Sequence, residues 1–414
     1  MSAAVASLLA LLAAIAISFA SRLNVGVVAI PLAWAASIYG GRTAEAVLSG
    51  FPSALFVTLA GVTLLFALAE TNGTVAQLAV RLTLLARGRA RVLPVVFFFI
   101  ACTLSTLGPG AVPAVALIAP LAFATAGAAA VPAFLTALMV ANGANAGNLS
   151  PFSAVGIIAN TRMASVGLGG HEWKVWAANF LAHAVVASAA YIWMVRRVPA
   201  RMSESVAHPA RLSRSQWMTL LVICAWILAV VALSASLGLA AFAASAVIIA
   251  LRCADESLAF KAIPWSAIVM VCGVAMLVTN AERSGGLDLF TTMLARLARP
   301  NTLNGVIAFV TGVISTCSST SGVVLPTFLP TVPGLVRQVG GGDPLAVALS
   351  INVGSSLVDV SPLSTIGAIC VAALPTPEAA RDLFKKMLIW GIAMSIVGAL
   401  LCQLFATAFA RAGL

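Results

Sequence analysis

Two stretches of this chain concentrate residues able to hold an ion or an anion. One runs Asn142-Gly-Ala-Asn-Ala-Gly-Asn-Leu-Ser-Pro-Phe-Ser-Ala-Val-Gly156, the other Asn352-Val-Gly-Ser-Ser-Leu-Val-Asp-Val-Ser-Pro-Leu-Ser-Thr-Ile-Gly367. Two further runs carry Ser105 and Thr106, and Ser315, Thr316, Ser318, Ser319, Thr320 and Ser321. None of the four contains Lys or Arg. An anionic substrate there would be held by helix N-termini and by hydroxyl and amide donors, not by a cationic fork. Such a site answers negative charge incompletely, so a co-bound cation is a natural partner. Na+ is a hard cation suited to Asn, Ser and Thr oxygens and to freed carbonyls. The candidate substrate-binding residues are Ser105, Thr106, Asn142, Asn145, Ser150, Ser315, Thr316, Ser318, Asn352, Ser355, Ser361 and Ser364. The candidate cation ligands are Asn148, Ser356, Asp359 and Thr365. Asp359 is the one acid in these runs, which in apolar surroundings reads as a cation ligand or proton carrier; the competing reading is a protonated or helix-capping residue. Beyond Na+ as coupling ion, no metal or cofactor is expected.

The elements that must position these residues are membrane helices. The 414 residues are 61% hydrophobic and 8% charged, with a mean hydropathy of +1.08, as in polytopic helical membrane proteins. Each polar stretch lies between two apolar segments of about half a membrane. Hydrocarbon tolerates irregular backbone only where it is enclosed by protein or lines a cavity, so both stretches read as broken helices at a binding site. In order, the first half shows spans at 3–20, 24–40 and 53–69, an amphipathic helix at 73–87, a re-entrant hairpin at 92–124, a broken helix at 131–166 and a span at 173–195. A polar linker covers 196–216.

After the linker the order returns: spans at 217–235, 238–251 and 264–281, an amphipathic stretch at 286–299, a hairpin at 303–336, a broken helix at 344–373 and a span at 387–410. At an offset of 212, Pro52, Gly61, Leu65, Glu70, Gly73 and Arg87 meet Pro264, Gly273, Leu277, Glu282, Gly285 and Arg299. Ser150-Pro151, Ser153 and Gly156 likewise meet Ser361-Pro362, Ser364 and Gly367. This is an internal repeat, 1–195 and 217–414. Five crossings per half, an odd number, require the second repeat to be inverted, giving about ten transmembrane helices plus two re-entrant hairpins and two broken helices. With the linker in the cytoplasm, 15 of the 23 basic residues fall inside and 8 outside, as the positive-inside rule asks. Both termini are then outside, and the first apolar run reads as a retained span because no basic residue precedes it.

Other classes fit poorly. The net charge of +11 sits in loops between apolar runs, so lipid rather than nucleic acid is the expected partner. The seven cysteines are scattered without Cys-x-x-Cys spacing, and there is no His-Glu-x-x-His, paired aspartate or phosphate-binding loop; an enzyme is not expected. His183 reads as packing or an interhelical hydrogen bond, Glu70 and Glu282 as structural caps, and Trp173, Trp176, Trp193 and Trp217 as interfacial anchors.

The chain resembles the ion transporter superfamily, and within it the MatC-type malonate and dicarboxylate carriers. The resemblance rests on Asn24-Val-Gly-Val-Val-Ala-Ile-Pro, Gly50-Phe-Pro, Gly61-Val-Thr-Leu-Leu-Phe-Ala, Asn72-Gly-Thr and Asn142-Gly-Ala-Asn-Ala-Gly with Ser150-Pro151. The more distant divalent anion:sodium symporters carry Ser-Asn-Thr at each hairpin tip. Here those positions read Ser105-Thr106-Leu107 and Ser315-Thr316-Cys317. The resemblance implies a scaffold domain and a moving transport domain, a homodimer and an elevator motion. The expected function is import of a small, malonate-like dicarboxylate coupled to Na+ or H+ across a plasma (bacterial inner) membrane. The alternative is a cation/proton antiporter or oxyanion exporter on the same fold.

Overall fold

The computed structural model describes residues 2–20, 23–83, 89–108, 110–199, 211–233, 235–263, 265–317, 319–374 and 376–412. They form helices throughout. In the first half these are α1 (Ala3–Ala20), α2 (Val25–Tyr39), α3 (Ala44–Leu48), α4 (Ser53–Thr71), α5 (Thr74–Thr83), α6 (Leu93–Leu107), α7 (Ala111–Ala128), α8 (Ala133–Gly147), α9 (Ala154–Ser165) and α10 (Glu172–Met194). The second half has α11 (Arg214–Leu233), α12 (Leu237–Ala250), α13 (Glu256–Ala262), α14 (Trp265–Arg283), α15 (Gly286–Ala295), α16 (Leu303–Cys317), α17 (Leu325–Phe328), α18 (Val332–Val339), α19 (Pro344–Leu357), α20 (Thr365–Ala372) and α21 (Pro377–Arg411). Most of the linker, 200–210, and the matches at Pro264 and Arg87 lie outside the described residues.

The two halves interlock through equivalent contacts. A Cβ on Gly61 of α4 would lie 2.5 Å from the Gly238 carbonyl oxygen of α12, and one on Gly273 of α14 would lie 2.2 Å from the Gly26 oxygen of α2. Both crossings therefore need glycine, because the backbones touch. Gly26 and Gly238 are themselves 212 apart, so one crossing is the counterpart of the other. Two hydrogen bonds repeat in the same way. Asn72 Nδ2 donates to Thr219 Oγ1 at 2.8 Å, and the hydroxyls of Ser284 and Ser7 meet at 2.6 Å. Asn24 caps α2 by accepting from Gly26 N at 2.9 Å while its Nδ2 reaches the Ser266 carbonyl at 2.7 Å. Several residues that carry the family resemblance are thus joints between the halves.

Four features differ from the sequence reading. The hairpin tips are shorter, since Ser105, Thr106 and Leu107 still belong to α6 and α7 already starts at Ala111. The second arm of the second hairpin is a relay: a π turn at Thr320–Val324, α17, a 3-10 turn at Leu329–Thr331, then α18. Pro326, Pro330 and Pro333 each remove an N–H donor, which prevents one uniform ladder. The last helix begins about ten residues early, capped by Thr376, so Arg381, Lys385 and Lys386 lie on it rather than in a loop. Its 35 residues reach about 52 Å, more than the roughly 30 Å of hydrocarbon. Short helices α3 and α13, also 212 apart at their starts, were not expected. Among the described residues four helical segments are long and apolar enough to cross a membrane: Ala111–Ala128, Glu172–Arg197, Pro344–Ala372 and Glu378–Arg411.

Candidate functional site

Each hairpin packs against its own broken helix, α6 on α8 and α16 on α19; α10 packs on α8, and α21 packs on both α16 and α19. The break in each is built by the same local chemistry. Ser153 is the N-cap of α9: its Oγ accepts from Gly156 N at 3.0 Å and donates to the carbonyls of Asn148 and Ser150. Ser364 is the N-cap of α20: its Oγ accepts from Gly367 N at 3.5 Å and donates to the carbonyls of Asp359 and Ser361. One serine therefore satisfies backbone groups that the interruption exposes. The chain folds back so tightly that a Cβ on Gly156 would lie 1.8 Å from Ser150 O, and one on Gly367 2.1 Å from Ser361 O.

The joint aligns Asn148 with Asp359, and these two residues tie each break to its hairpin. Asn148 Oδ1 accepts from the backbone N–H of Ala111, at the start of the second arm, at 2.9 Å. The Asp359 carboxylate accepts from Thr320 Oγ1 at 2.8 Å and, more distantly, from Ser315 Oγ at 3.4 Å. Ser315 and Thr320 also hydrogen-bond each other, and Thr320 reaches the Ser355 carbonyl at 3.4 Å. Asp359 is buried, and among the described residues the partners of its carboxylate are these hydroxyls.

Asn142 and Ser356 are brought together by α10: Asn142 Oδ1 is 2.9 Å from His183 Nδ1, and Ser356 Oγ is 3.1 Å from His183 Nε2. Asn179, one turn earlier on α10, donates to the Asn145 carbonyl at 2.6 Å. Ser105 Oγ, both amide atoms of Asn145, Asn179 Oδ1 and Asn352 Oδ1 are buried without a hydrogen-bond partner. Native interiors leave few such atoms, and each marks capacity to bind a polar ligand or water.

Other predicted site residues are committed to the fold. Ser150 Oγ donates to the Thr106 carbonyl, tying the break to α6. Thr316, Ser355 and Asn352 donate to carbonyls one turn back, Gly312, Ile351 and Ala348, at 3.0, 2.7 and 2.9 Å. Thr106 is half-buried with its Oγ1 3.9 Å from Cys102 Sγ. Ser361 is buried, its Oγ accepting from Leu363 N at 3.3 Å. Thr365 stands exposed at the start of α20, apart from the buried group. Ser318 lies outside the described residues. Sequence reasoning left Asn179 out, took His183 for packing or a hydrogen bond, and counted Thr320 as polar lining without a role. The Asn179-x-x-x-His183 spacing, which puts both on one helix face, was the available signal.

Two comparisons with known proteins bear on this fold. Residues 1–148 match the family described as dicarboxylate carrier protein MatC, N-terminus, which bears out the resemblance over that part of the chain. The structure is similar to that of the YdaH transporter of Alcanivorax borkumensis, with a TM-score of 0.55 and 17% identity over 87% of each chain. At that identity the likeness speaks for the fold. No curated protein sequence matches the chain. The protein is thus an integral membrane protein with a transporter-like fold, and not an enzyme.

Proposed function

We propose that this protein is a secondary active transporter that imports a small, malonate-like dicarboxylate coupled to Na+ or H+. The observation that carries the reading is the pair of matched joints, in which a buried hairpin and a broken helix meet through Asn148 in one half and Asp359 in the other. Paired interruptions of this kind suit alternating access around a central site. The matched family supplies the substrate class, and a lining of hydroxyls and amides without Lys or Arg suits an anion whose charge is partly answered by a co-bound cation. Asp359, whose carboxylate is met by hydroxyl donors among the described residues, is the coupling residue.

In this reading the chain is two inverted repeats, 1–195 and 217–414, with ten crossings. The 15-residue arms α6 and α16 fall short of the roughly 20 residues that span a bilayer, as re-entrant arms would. The central linker is cytoplasmic, both termini are outside, and two copies form a dimer in the bacterial inner membrane. Hairpins and broken helices move together against the scaffold formed by the α2–α14 and α4–α12 crossings.

The test is radiolabelled malonate uptake into proteoliposomes under an inward Na+ or H+ gradient, with wild type and Asp359→Asn. Uptake driven by one gradient and lost in the variant is expected. Folded protein without uptake under either gradient overturns the reading and favours a cation/proton antiporter or oxyanion exporter.

A further inference from the structure

The geometry points to His183 as a positioning residue that joins the two broken helices and fixes the hydroxyl of Ser356 so that its oxygen lone pairs are available to a cation. The inference rests on the transport reading only in placing Ser356 beside the coupling site. His183 is fully buried at the centre of α10, and its two partners come from different halves of the chain, Asn142 on α8 and Ser356 on α19.

The hydrogen positions follow from Asn142. Its Nδ2 donates to the Leu138 carbonyl at 2.9 Å. A flipped amide would set two acceptor oxygens against each other at that distance, so Oδ1 is the atom facing the imidazole. His183 Nδ1 must therefore carry a hydrogen. Both partners are neutral, and an unpaired buried charge is costly, so the ring is neutral with its single N–H at Nδ1. Nε2 is then an acceptor, and the Ser356 hydroxyl donates to it. With its proton held by the ring, Ser356 Oγ keeps its remaining lone pairs for a hard cation. Ser356 lies in the last turn of α19 and Asp359 in the 3-10 turn Val358–Val360 that follows it, three residues on, so the two are near one another along the chain. Asn179, on the same face of α10, holds the Asn145 carbonyl at 2.6 Å, so α10 fastens α8 at two points and α19 at one.

The chain has three histidines, His171, His183 and His208. Nitrogen NMR of protein labelled with 15N-histidine, in lipid at pH 7, resolves ring protonation, and subtraction of the His183→Gln spectrum assigns His183. The expected result is a neutral ring protonated at Nδ1; a ring protonated at Nε2, or at both nitrogens, overturns the inference. This measurement needs neither substrate nor gradient, so its failure is separate from a failure of the transport reading. A second arm compares two variants by the half-saturation concentration of the coupling cation. His183→Asn keeps a donor near Asn142 but no acceptor for Ser356, whereas His183→Gln keeps an acceptor near Ser356. Half-saturation about five- to tenfold higher in His183→Asn than in His183→Gln is expected for one lost hydrogen bond, with a smaller difference in maximal rate. Equal half-saturation in the two overturns the positioning role. Should both variants fail to fold, the tautomer of the wild-type ring decides, read in a His171→Gln/His208→Gln protein whose one remaining histidine is His183.

Discussion

The two breaks share a scaffold and differ in charge. In the first, a neutral amide, Asn148, receives a backbone N–H whose direction the hairpin fixes. In the second, a carboxylate, Asp359, receives two side-chain hydroxyls that can rotate. An amide oxygen matched to a fixed donor makes a permanent joint. A buried carboxylate held by neutral hydroxyls keeps an unbalanced charge, which a cation or a proton can answer. The same fold thus provides one fixed joint and, under the proposed function, one that responds to the coupling ion.

The comparison breaks most severely if the joint itself fails. Gly156→Ala and Gly367→Ala each force a Cβ into a carbonyl oxygen, and each is expected to cost about 3 kcal/mol or more, read as a large drop in thermal stability in detergent. If either variant unfolds like wild type, the tight turn does not hold the break. Next come the charge exchanges. Asp359→Asn should reduce gradient-driven uptake at least about tenfold while the protein remains folded, because an amide oxygen can still accept from Thr320. Asn148→Asp should destabilise by about 2 kcal/mol by placing a second carboxylate at a buried joint. Equal transport in wild type and Asp359→Asn would remove the functional difference between the halves.

Thr320→Val sharpens the contrast, since it removes the shorter donor to Asp359 and nothing from Asn148. A loss of about 1.5–3 kcal/mol, the range for a hydrogen bond to a charged group, is expected from chemical denaturation. Thr320→Ser should restore most of it. The smallest effect belongs to the caps. Ser153→Ala and Ser364→Ala should each cost about 1 kcal/mol, with the first loss the larger because its cap bond is 3.0 Å rather than 3.5 Å. A reversed order would show that the second cap contributes through its carbonyl contacts instead.

Much of the fold was legible because its signals are local. Apolar runs mark helices, and the Ser-Pro-x-Ser-x-x-Gly pattern at Ser150 and Ser361 marks a break, since an N-cap reaches only three residues ahead. Less legible were α3 and α13, too short for a periodic pattern, and the extent of α21, whose charged first turns read as loop. Within the site the sequence named Asp359, Asn148 and Asn142 but also Thr365, which is exposed, and Ser150, whose hydroxyl ties two elements of the fold together. Residue type tells what a side chain can bond, not what it meets.

By itself, then, the sequence determined that this chain is a helical membrane protein with two polar interruptions. Composition, periodicity and capping are properties of neighbouring residues. Only the tertiary structure decided that Asp359 meets hydroxyls 39 and 44 residues earlier, or that His183 links Asn142 to Ser356 across the two halves. Those contacts depend on which faces of separately formed helices pack together, and that is set by the glycine crossings and hairpin joints acting at once.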